Sequence, residues 1–269
     1  MKRRDFIKRT GQVAGASLLT GCINSHDYWD PLVDENTPAL ISGLTLYLKA
    51  DVGITIETGV SKWADQSGNG SDASQNTPAN QPSYVSNAIN GRPALSFTSQ
   101  LISTTPITLG TFTIFCVFQS SLTGTTIIYE HSPNANVGFN DGLYLWNTTS
   151  FTFFVTRVGQ ALNSSKNLTP NWAADNIAKI TTHRMDGTHA GHTLHINGIL
   201  QSLTDGATAD PGITTVTDSF NVGARSSIPT NFFGGYIAEV ICYNRSLSDT
   251  ERELVENYLS VKYSISLTV

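Results

Sequence analysis

The residues best suited to contact a ligand form the stretch Leu143-Tyr144-Leu145-Trp146-Asn147. Strict alternation in a strand sends the leucines to one face and Tyr144 and Trp146 to the other. Alternate strand residues lie about 6.6 Å apart, so both rings can stack on a sugar chain while the Asn147 amide bonds a hydroxyl. The alternative is that this face is also covered and the rings belong to the core. Trp172, in a predicted loop, is the next candidate.

Acidic side chains that would act in catalysis are scarce in the predicted strands. Sandwich glycosidases carry two carboxylates about four residues apart on one strand, and no strand here has Glu-x-Asp-x-x-Glu. The strand acids are Glu130 and Glu239, which would have to meet across the sandwich to share a proton. A polysaccharide lyase would need a Tyr/His pair with an arginine, and its candidates are Tyr129, His131, Arg157 and Arg184. None falls in a recognisable lyase motif, so we predict no catalytic residue and favour a protein that is not an enzyme.

Four histidines lie close together in the sequence, at His183, His189, His192 and His195. Imidazole is the commonest metal ligand. However, strand parity puts His192 and His195 on opposite faces, and no cysteine or carboxylate joins them at a zinc spacing. The sequence therefore predicts no metal site in this hairpin.

Two predicted turns contain side-chain oxygens, from Asp65 with Asn69 and from Asn140 with Asp141. Such side chains stabilise turns by bonding to nearby backbone groups. The same residues are compatible with calcium, which prefers oxygen ligands. We expect no cofactor, with calcium as the alternative.

Short β-branched and aromatic runs separated by Gly, Asn, Asp, Ser and Pro fill the chain from Leu40 onward. About ten strands joined by short turns predict an all-β, two-sheet antiparallel jelly-roll sandwich. The run Thr111–Gln119 is apolar on both parities, which predicts a central strand covered on both faces. The predicted strands are Leu44–Lys49, Ala94–Phe97, Thr111–Gln119, Thr126–His131, Leu143–Asn147, Phe151–Arg157, Ile177–Arg184, His192–Ile196, Ser219–Val222 and Tyr236–Tyr243.

One helix is predicted, at the C-terminus. Ser248-Asp249-Thr250-Glu251 has the pattern of a capping box, in which the serine hydroxyl and the glutamate each satisfy a free backbone amide. The apolar residues that follow recur on one face and should pack on the sandwich; they are Leu254, Val255, Tyr258 and Leu259.

Three other residues are interpreted as core. Trp63 beside its turn reads as a buried plug. Cys116 and Cys242 lie inside apolar strands and should behave as small hydrophobic residues. The alternative is a disulfide between Cys116 and Cys242, provided that their strands are neighbours.

The N-terminal residues 1–21 have the pattern of an export signal. Arg3-Arg4-Asp5-Phe6-Ile7-Lys8 resembles the twin-arginine motif, and Leu19-Thr20-Gly21-Cys22 resembles a bacterial lipobox with cleavage before Cys22. The resemblance implies lipidation of Cys22 and a bacterial cell-envelope protein, periplasmic or on the outer surface, held to the membrane by a lipid anchor. Residues 22–39 are polar and read as a tether, and 40–269 form one domain.

Charge argues against nucleic acid as a partner. Residues 1–21 hold five of the sixteen basic and one of the twenty-one acidic residues, which leaves eleven basic against twenty acidic residues and a net charge of −9. An acidic body with scattered basic residues repels phosphates.

Five spaced motifs resemble laminin-G-like, concanavalin-A-like domains. They cover nearly the whole body in the right order: Trp63–Gly70, Asn90–Phe97, Phe112–Phe115, Leu194–Gly198 with its Asn-Gly hairpin, and Gly235–Arg245. The resemblance implies the same sandwich. It also implies binding of glycans or protein partners at cell surfaces, since such domains commonly do so, although some relatives are polysaccharide hydrolases or lyases.

Three functions therefore remain after the sequence. The first is a non-catalytic domain that binds a polysaccharide or cell-surface glycan through Tyr144, Trp146, Asn147 and Trp172. The second is a structural or protein-interaction lipoprotein without a sugar site. The third is a polysaccharide hydrolase or lyase of the concanavalin-A-like superfamily.

Overall fold

The most apolar stretch of the chain forms the central strand β8, Phe112–Gln119. Every residue from Phe112 to Phe118 is buried. Alternate side chains of β8 enter two different cores, so the strand is covered on both faces, as predicted. It pairs in antiparallel register with β13, Lys179–Met185, and with β18, Gly235–Tyr243.

A computed structural model describes residues 36–120, 126–131, 142–147, 151–156, 163–168, 175–225 and 231–268; in 142–147 and 151–156, and at 163 and 167, it describes the backbone alone. The described strands form two sheets. Besides β8, β13 and β18, the first sheet contains β1 Leu44–Lys49, β5 Ser83–Ile89, β6 Arg92–Phe97, β14 Thr193–Ile196 and β15 Ile199–Leu200. The second contains β2 Ile54–Ile56, β3 Val60–Trp63, β4 Ala73–Ser74, β7 Ile102–Leu109, β9 Thr126–His131, β10 Gly142–Asn147, β11 Phe151–Thr156, β12 Asn163–Leu168, β16 Thr204–Thr208 and β17 Val216–Val222.

The order of strands differs from their order in the chain. The first sheet runs β15-β14-β13-β8-β18-β6-β5, with β1 also paired to β18. The second runs β16-β12-β11-β10-β9-β17-β7-β4-β3-β2. All pairs between described strands are antiparallel, so the predicted two-sheet antiparallel sandwich is confirmed. All ten predicted strands are present, with ends shifted by up to three residues.

The main core lies between the two sheets. It contains apolar side chains of β1, β6, β8 and β18 from the first sheet and of β3, β7, β9 and β17 from the second. Trp63 is fully buried there, as predicted. Cys116 and Cys242 are buried free thiols of this core on neighbouring strands, and burial raises the pKa of both.

The C-terminal helix α2, Asp249–Tyr263, covers the other face of the first sheet. The capping box is present: the Ser248 hydroxyl accepts from the Glu251 amide, and the Glu251 carboxylate accepts from the Ser248 amide. Val255, Tyr258 and Leu259 are buried in a second core, which stabilises the helix by about 1.5–3 kcal/mol for each large side chain. The described part of the chain therefore has three layers: helix, first sheet and second sheet.

A short helix α1, Thr37–Leu40, precedes the first strand. Thr37 and Pro38 are buried, and the Pro38 carbonyl accepts a hydrogen bond of 2.8 Å from the Tyr243 hydroxyl. These residues, within the predicted tether 22–39, thus pack on the sandwich. No described helix is long and apolar enough to span a bilayer.

Candidate functional site

Strand β10 carries three of the proposed ligand contacts, Tyr144, Trp146 and Asn147. Its backbone pairs with β9 on one side and β11 on the other, and Tyr144 stands opposite Glu130 of β9. The side chains of these three residues lie outside the described part of the chain, as does all of Trp172. Their role in ligand binding stays a prediction.

The burial of the neighbouring strand β9 indicates whether the sheet faces at β10 are covered or exposed. Each of its six residues is buried, and Glu130 has no exposed area. Asn221 of β17, on the other side of Glu130, is also buried. The second sheet is therefore covered on both faces at β9, which favours the alternative that β10 contributes rings to the core.

The two strand carboxylates do not face each other. Glu130 lies in the second sheet, whereas the side chain of Glu239 lies under α2 on the far side of the first sheet. The Glu239 carboxylate accepts hydrogen bonds from the hydroxyls of Tyr258 and Tyr263, at 2.9 and 2.8 Å, and from the Lys262 ammonium at 2.6 Å. These partners compensate a buried charge. Glu239 therefore acts in helix packing.

The lyase candidates are also held in structural contacts. Tyr129 and His131 are buried, and His131 Nε2 lies 3.0 Å from the Ile107 carbonyl. Arg184 donates to the Asp249 carboxylate at 2.7 Å. Arg157 lies outside the described residues. The described three form no exposed acid–base pair.

Three of the four histidines meet inside the sandwich, which sequence reasoning missed. Ser164 Oγ lies 2.6 Å from His189 Nδ1 and 2.7 Å from His192 Nδ1. His192 Nε2 lies 3.0 Å from His183 Nε2, and His183 Nδ1 lies 3.3 Å from the Tyr129 hydroxyl. We call these five residues the histidine cluster. Its members come from β9, β12, β13 and the loop before β14.

The strand predicted from His192 begins instead at Thr193. His192 therefore belongs to the loop that brings it back to His183. His195 lies apart from the cluster, next to Arg252, Arg184 and Asp249 at α2. The predicted separation of His192 from His195 holds, although parity along one strand is not its cause.

Burial controls the protonation of two members of the histidine cluster, His183 and His192. It lowers the pKa of His183 to about 3 and lowers that of His192 strongly, with the neighbouring His183 as a further cause. Both imidazoles are therefore neutral at pH 7. In the described residues, no group of three or more His, Cys, Asp or Glu side chains is placed to hold a metal ion.

Ser164, His189 and Asp205 follow one another in the order of a nucleophile, a base and an acid. His189 Nε2 lies 3.1 Å from the Asp205 carboxylate. However, a nucleophile must reach the substrate, and Ser164 has no exposed surface. In the described part of the chain, this arrangement therefore has no opening for a substrate at Ser164.

The turn around Asp65 agrees with the turn interpretation. Its carboxylate accepts hydrogen bonds from the amides of Tyr47, Ser67 and Ser71 and from the Ser67 hydroxyl, at 2.7–3.0 Å. Asn69 Nδ2 donates to two carbonyls of β1. Asn140 and Asp141 lie outside the described residues. Turn chemistry accounts for the Asp65 side chain, and calcium binding stays a prediction.

A pocket of about 430 Å³ lies on the helix side of the first sheet, beside the segment that follows α2. We call it the carboxamide pocket, because four carboxamide side chains line it and no charged one does. Its lining residues are Asn90, Gln119, Asn176, Ile177, Ala178, Asn197, Ser264, Ile265 and Ser266.

Hydrogen bonds to the protein fix the orientation of each carboxamide. Asn90 Nδ2 donates to the Tyr263 carbonyl at 2.9 Å. Gln119 Nε2 donates to the Asn176 backbone carbonyl and to Asn176 Oδ1, at 3.0 and 3.2 Å. Asn197 Oδ1 accepts from the Ile180 amide at 2.9 Å. Each amide is therefore held in place before any ligand arrives.

The backbone around this pocket is unusual. Of the five described non-glycine residues with positive φ, four line it: Asn90, Asn176, Asn197 and Ser264, with φ of 48–58°. Asparagine tolerates this conformation better than most residues. Ser264 adopts it as the left-handed C-cap of α2.

Two signals in the sequence relate to this pocket. Asn90-Gly91 and Asn197-Gly198 form two-residue hairpin turns with positive φ throughout, as Asn-Gly pairs favour. The Asn197 turn is the predicted one. Nothing in the sequence relates either turn to Gln119 or Asn176, so the pocket was missed.

No protein-family model matches the chain, and no curated protein matches its sequence. Solved structures do match it. The binding domain of Paraclostridial Mosquitocidal Protein 1 has a TM-score of 0.53 and 13% identity, with 81% of this chain and 52% of that chain covered.

Two further structures are similar. One is a structure of botulinum neurotoxin type C, a toxin whose cell entry depends on interaction with two ganglioside molecules. It has a TM-score of 0.51 and 16% identity, with 81% of this chain and 51% of that chain covered. Trypanosoma rangeli sialidase with 2,3-difluorosialic acid has a TM-score of 0.51 and 15% identity over 82% and 33%. The chain spans about half of the toxin chains and a third of the sialidase chain. These likenesses support the β-sandwich fold.

Proposed function

We propose that the sandwich is a carbohydrate-binding domain. The observation that carries the proposal is the carboxamide pocket: four fixed amides surround a cavity with two buried apolar residues, Ala178 and Ile265. Binding sites for small polar ligands combine an apolar lining with a few oriented polar groups. A fixed amide forms a hydrogen bond to a sugar hydroxyl with little loss of side-chain entropy.

The structural neighbours are consistent with this proposal. The botulinum neurotoxin type C protein interacts with ganglioside for cell entry, and the sialidase binds a sialic acid derivative. Those are properties of those proteins, and a shared fold does not transfer a site. They do indicate that sandwiches of this shape occur in proteins that handle glycans.

The test is binding of the purified full chain to a panel of neutral and acidic polysaccharides, measured by affinity electrophoresis and calorimetry. We expect saturable binding to at least one polysaccharide, and no release of reducing ends or unsaturated products. Absence of binding across the panel would sink the proposal. Product release would favour an enzyme instead.

We further propose that the domain is held at the bacterial cell envelope by lipid on Cys22. The twin arginines at Arg3 and Arg4 and the Leu19–Cys22 lipobox support this proposal. An acylated cysteine carries enough buried methylenes for stable anchoring, at about 0.8 kcal/mol each. Metabolic labelling with a palmitate analogue should label the wild-type chain in the membrane fraction and leave Cys22→Ala unlabelled. An unlabelled wild-type chain would contradict the anchor.

A further inference from the structure

The carboxamide pocket has a defined set of unused hydrogen-bonding atoms, because the protein bonds described above assign the oxygen and nitrogen of each amide. Asn90 and Gln119 use their nitrogens within the protein, and Asn176 and Asn197 use their oxygens. Among the described residues, Asn90 Oδ1, Gln119 Oε1, Asn176 Nδ2 and Asn197 Nδ2 form no further hydrogen bond. The pocket thus presents two acceptors and two donors.

This mixed set fits hydroxyl groups. A sugar hydroxyl donates one hydrogen bond and accepts others, so it can bond both kinds of amide atom. A carboxylate accepts only and would find two oxygens of the pocket without a proton to share. The donor and acceptor composition therefore favours a polyhydroxylated ligand over an anion.

The charges around the pocket lead to the same preference. No lining residue is ionisable. The nearby ammonium of Lys179 is bonded to the Asp175 carboxylate and to the Ile177 carbonyl, so its charge is already compensated. An acidic sugar would lose hydration without gaining a cation, which is unfavourable.

Apolar surface completes the site. Ile177 is 60% exposed at the pocket, and Ala178 and Ile265 lie buried beside it. The C–H face of a sugar ring can pack against Ile177 while its hydroxyls reach the amides. The volume of about 430 Å³ falls in the range of small-ligand pockets.

We infer that the carboxamide pocket binds an uncharged sugar unit of a glycan through the unused atoms of Asn90, Gln119, Asn176 and Asn197. This inference rests on the proposed carbohydrate-binding function and assigns to it a site and a ligand class. It predicts that neutral glycans bind and that sialylated or uronate-containing ones do not bind better.

Asn176 provides the sharpest test. Asn176→Asp keeps the oxygen that accepts from Gln119 and tolerates positive φ, but it replaces the unused donor by an acceptor. Asn176→Gly removes the side chain and also tolerates positive φ. Asn231, with φ of 56° and no place in the pocket, is the matched control. The proteins compared are the wild-type full chain and Asp and Gly variants at both positions.

With a panel of matched neutral and acidic oligosaccharides, we expect both Asn176 variants to bind the neutral ligand about tenfold more weakly, the loss of about one hydrogen bond. Both Asn231 variants should bind like the wild type. Equal binding by the wild type and the Asn176 variants would overturn the pocket as the site while leaving carbohydrate binding intact. Binding of acidic ligands alone would overturn the uncharged class. Absence of binding by the wild type and by all four variants would overturn the proposed function itself.

Discussion

The carboxamide pocket and the histidine cluster are both made of polar side chains bonded to the protein, yet they use their bonds differently. In the histidine cluster, Ser164 links His189 to His192, and the chain of bonds continues inward to His183 and Tyr129. In the carboxamide pocket, each amide bonds the protein with one end and leaves the other end unused. The proposed ligand site is therefore the region in which hydrogen-bonding atoms remain unused by the protein.

The difference predicts which region depends on pH. Since burial lowers the pKa of His183 to about 3 and also lowers that of His192, the unfolded chain binds more protons than the folded one below the ordinary value of 6.5. The contribution of these two histidines to the free energy of unfolding is therefore fully present above pH 6.5 and is lost as pH falls toward 3. His195, with a pKa of about 4, contributes over a similar range. We expect the free energy of unfolding in urea to fall by several kcal/mol between pH 7 and pH 4.

The His183→Gln variant separates this cause from others. Because glutamine does not titrate, the free energy of unfolding of the variant should fall less between pH 7 and pH 4 than that of the wild type. The other ionisable side chains that influence the pKa of His192 are those of Lys166 and His189, and both remain in this variant. Glu251, whose pKa is lowered to about 2 by Arg245, loses its contribution only below its ordinary value of 4.5. An equal pH dependence in the two proteins would contradict the role of His183.

Removal of the linking hydroxyl is the next largest effect. Ser164→Ala leaves two imidazole nitrogens without their partner in the interior, which should cost about 1–3 kcal/mol of unfolding free energy. The matched control is Thr108→Ala, which removes one hydroxyl of a hydrogen-bonded surface pair, Thr108 and Thr217, and should change stability by less than about 0.5 kcal/mol. Neither variant should change glycan affinity. A loss of affinity in Ser164→Ala at unchanged stability would move the site into the cluster.

The smallest expected effect concerns strand β10. Because β9 beside it is buried on both faces, we expect Trp146→Ala to keep its glycan dissociation constant within about twofold of the wild type. Calorimetry on the folded variant measures this directly. A loss of tenfold or more would return the site to the aromatic strand that the sequence suggested.

Three of the eight described strands that the sequence missed share a physical feature. Ser83–Ile89, Asn163–Leu168 and Thr204–Thr208 are rich in polar residues, and the first and third carry many exposed ones. Two of them, β5 and β16, are edge strands, where one side of the backbone has no neighbour. Half-exposed edge strands need no continuous apolar pattern, so periodicity is a poor signal for them.

The sequence by itself determined the sandwich, its central strand Phe112–Gln119 and the capped helix, because burial imposes apolar periodicity and helix ends need defined caps. It also indicated the Asn197-Gly198 turn, since the conformation of such a turn is local. Only the tertiary structure brought Asn90, Gln119, Asn176 and Asn197 into one pocket and three histidines into one cluster. The assembly of this pocket and this cluster depends on pairing between strands that are distant in the chain, and no local pattern encodes that pairing.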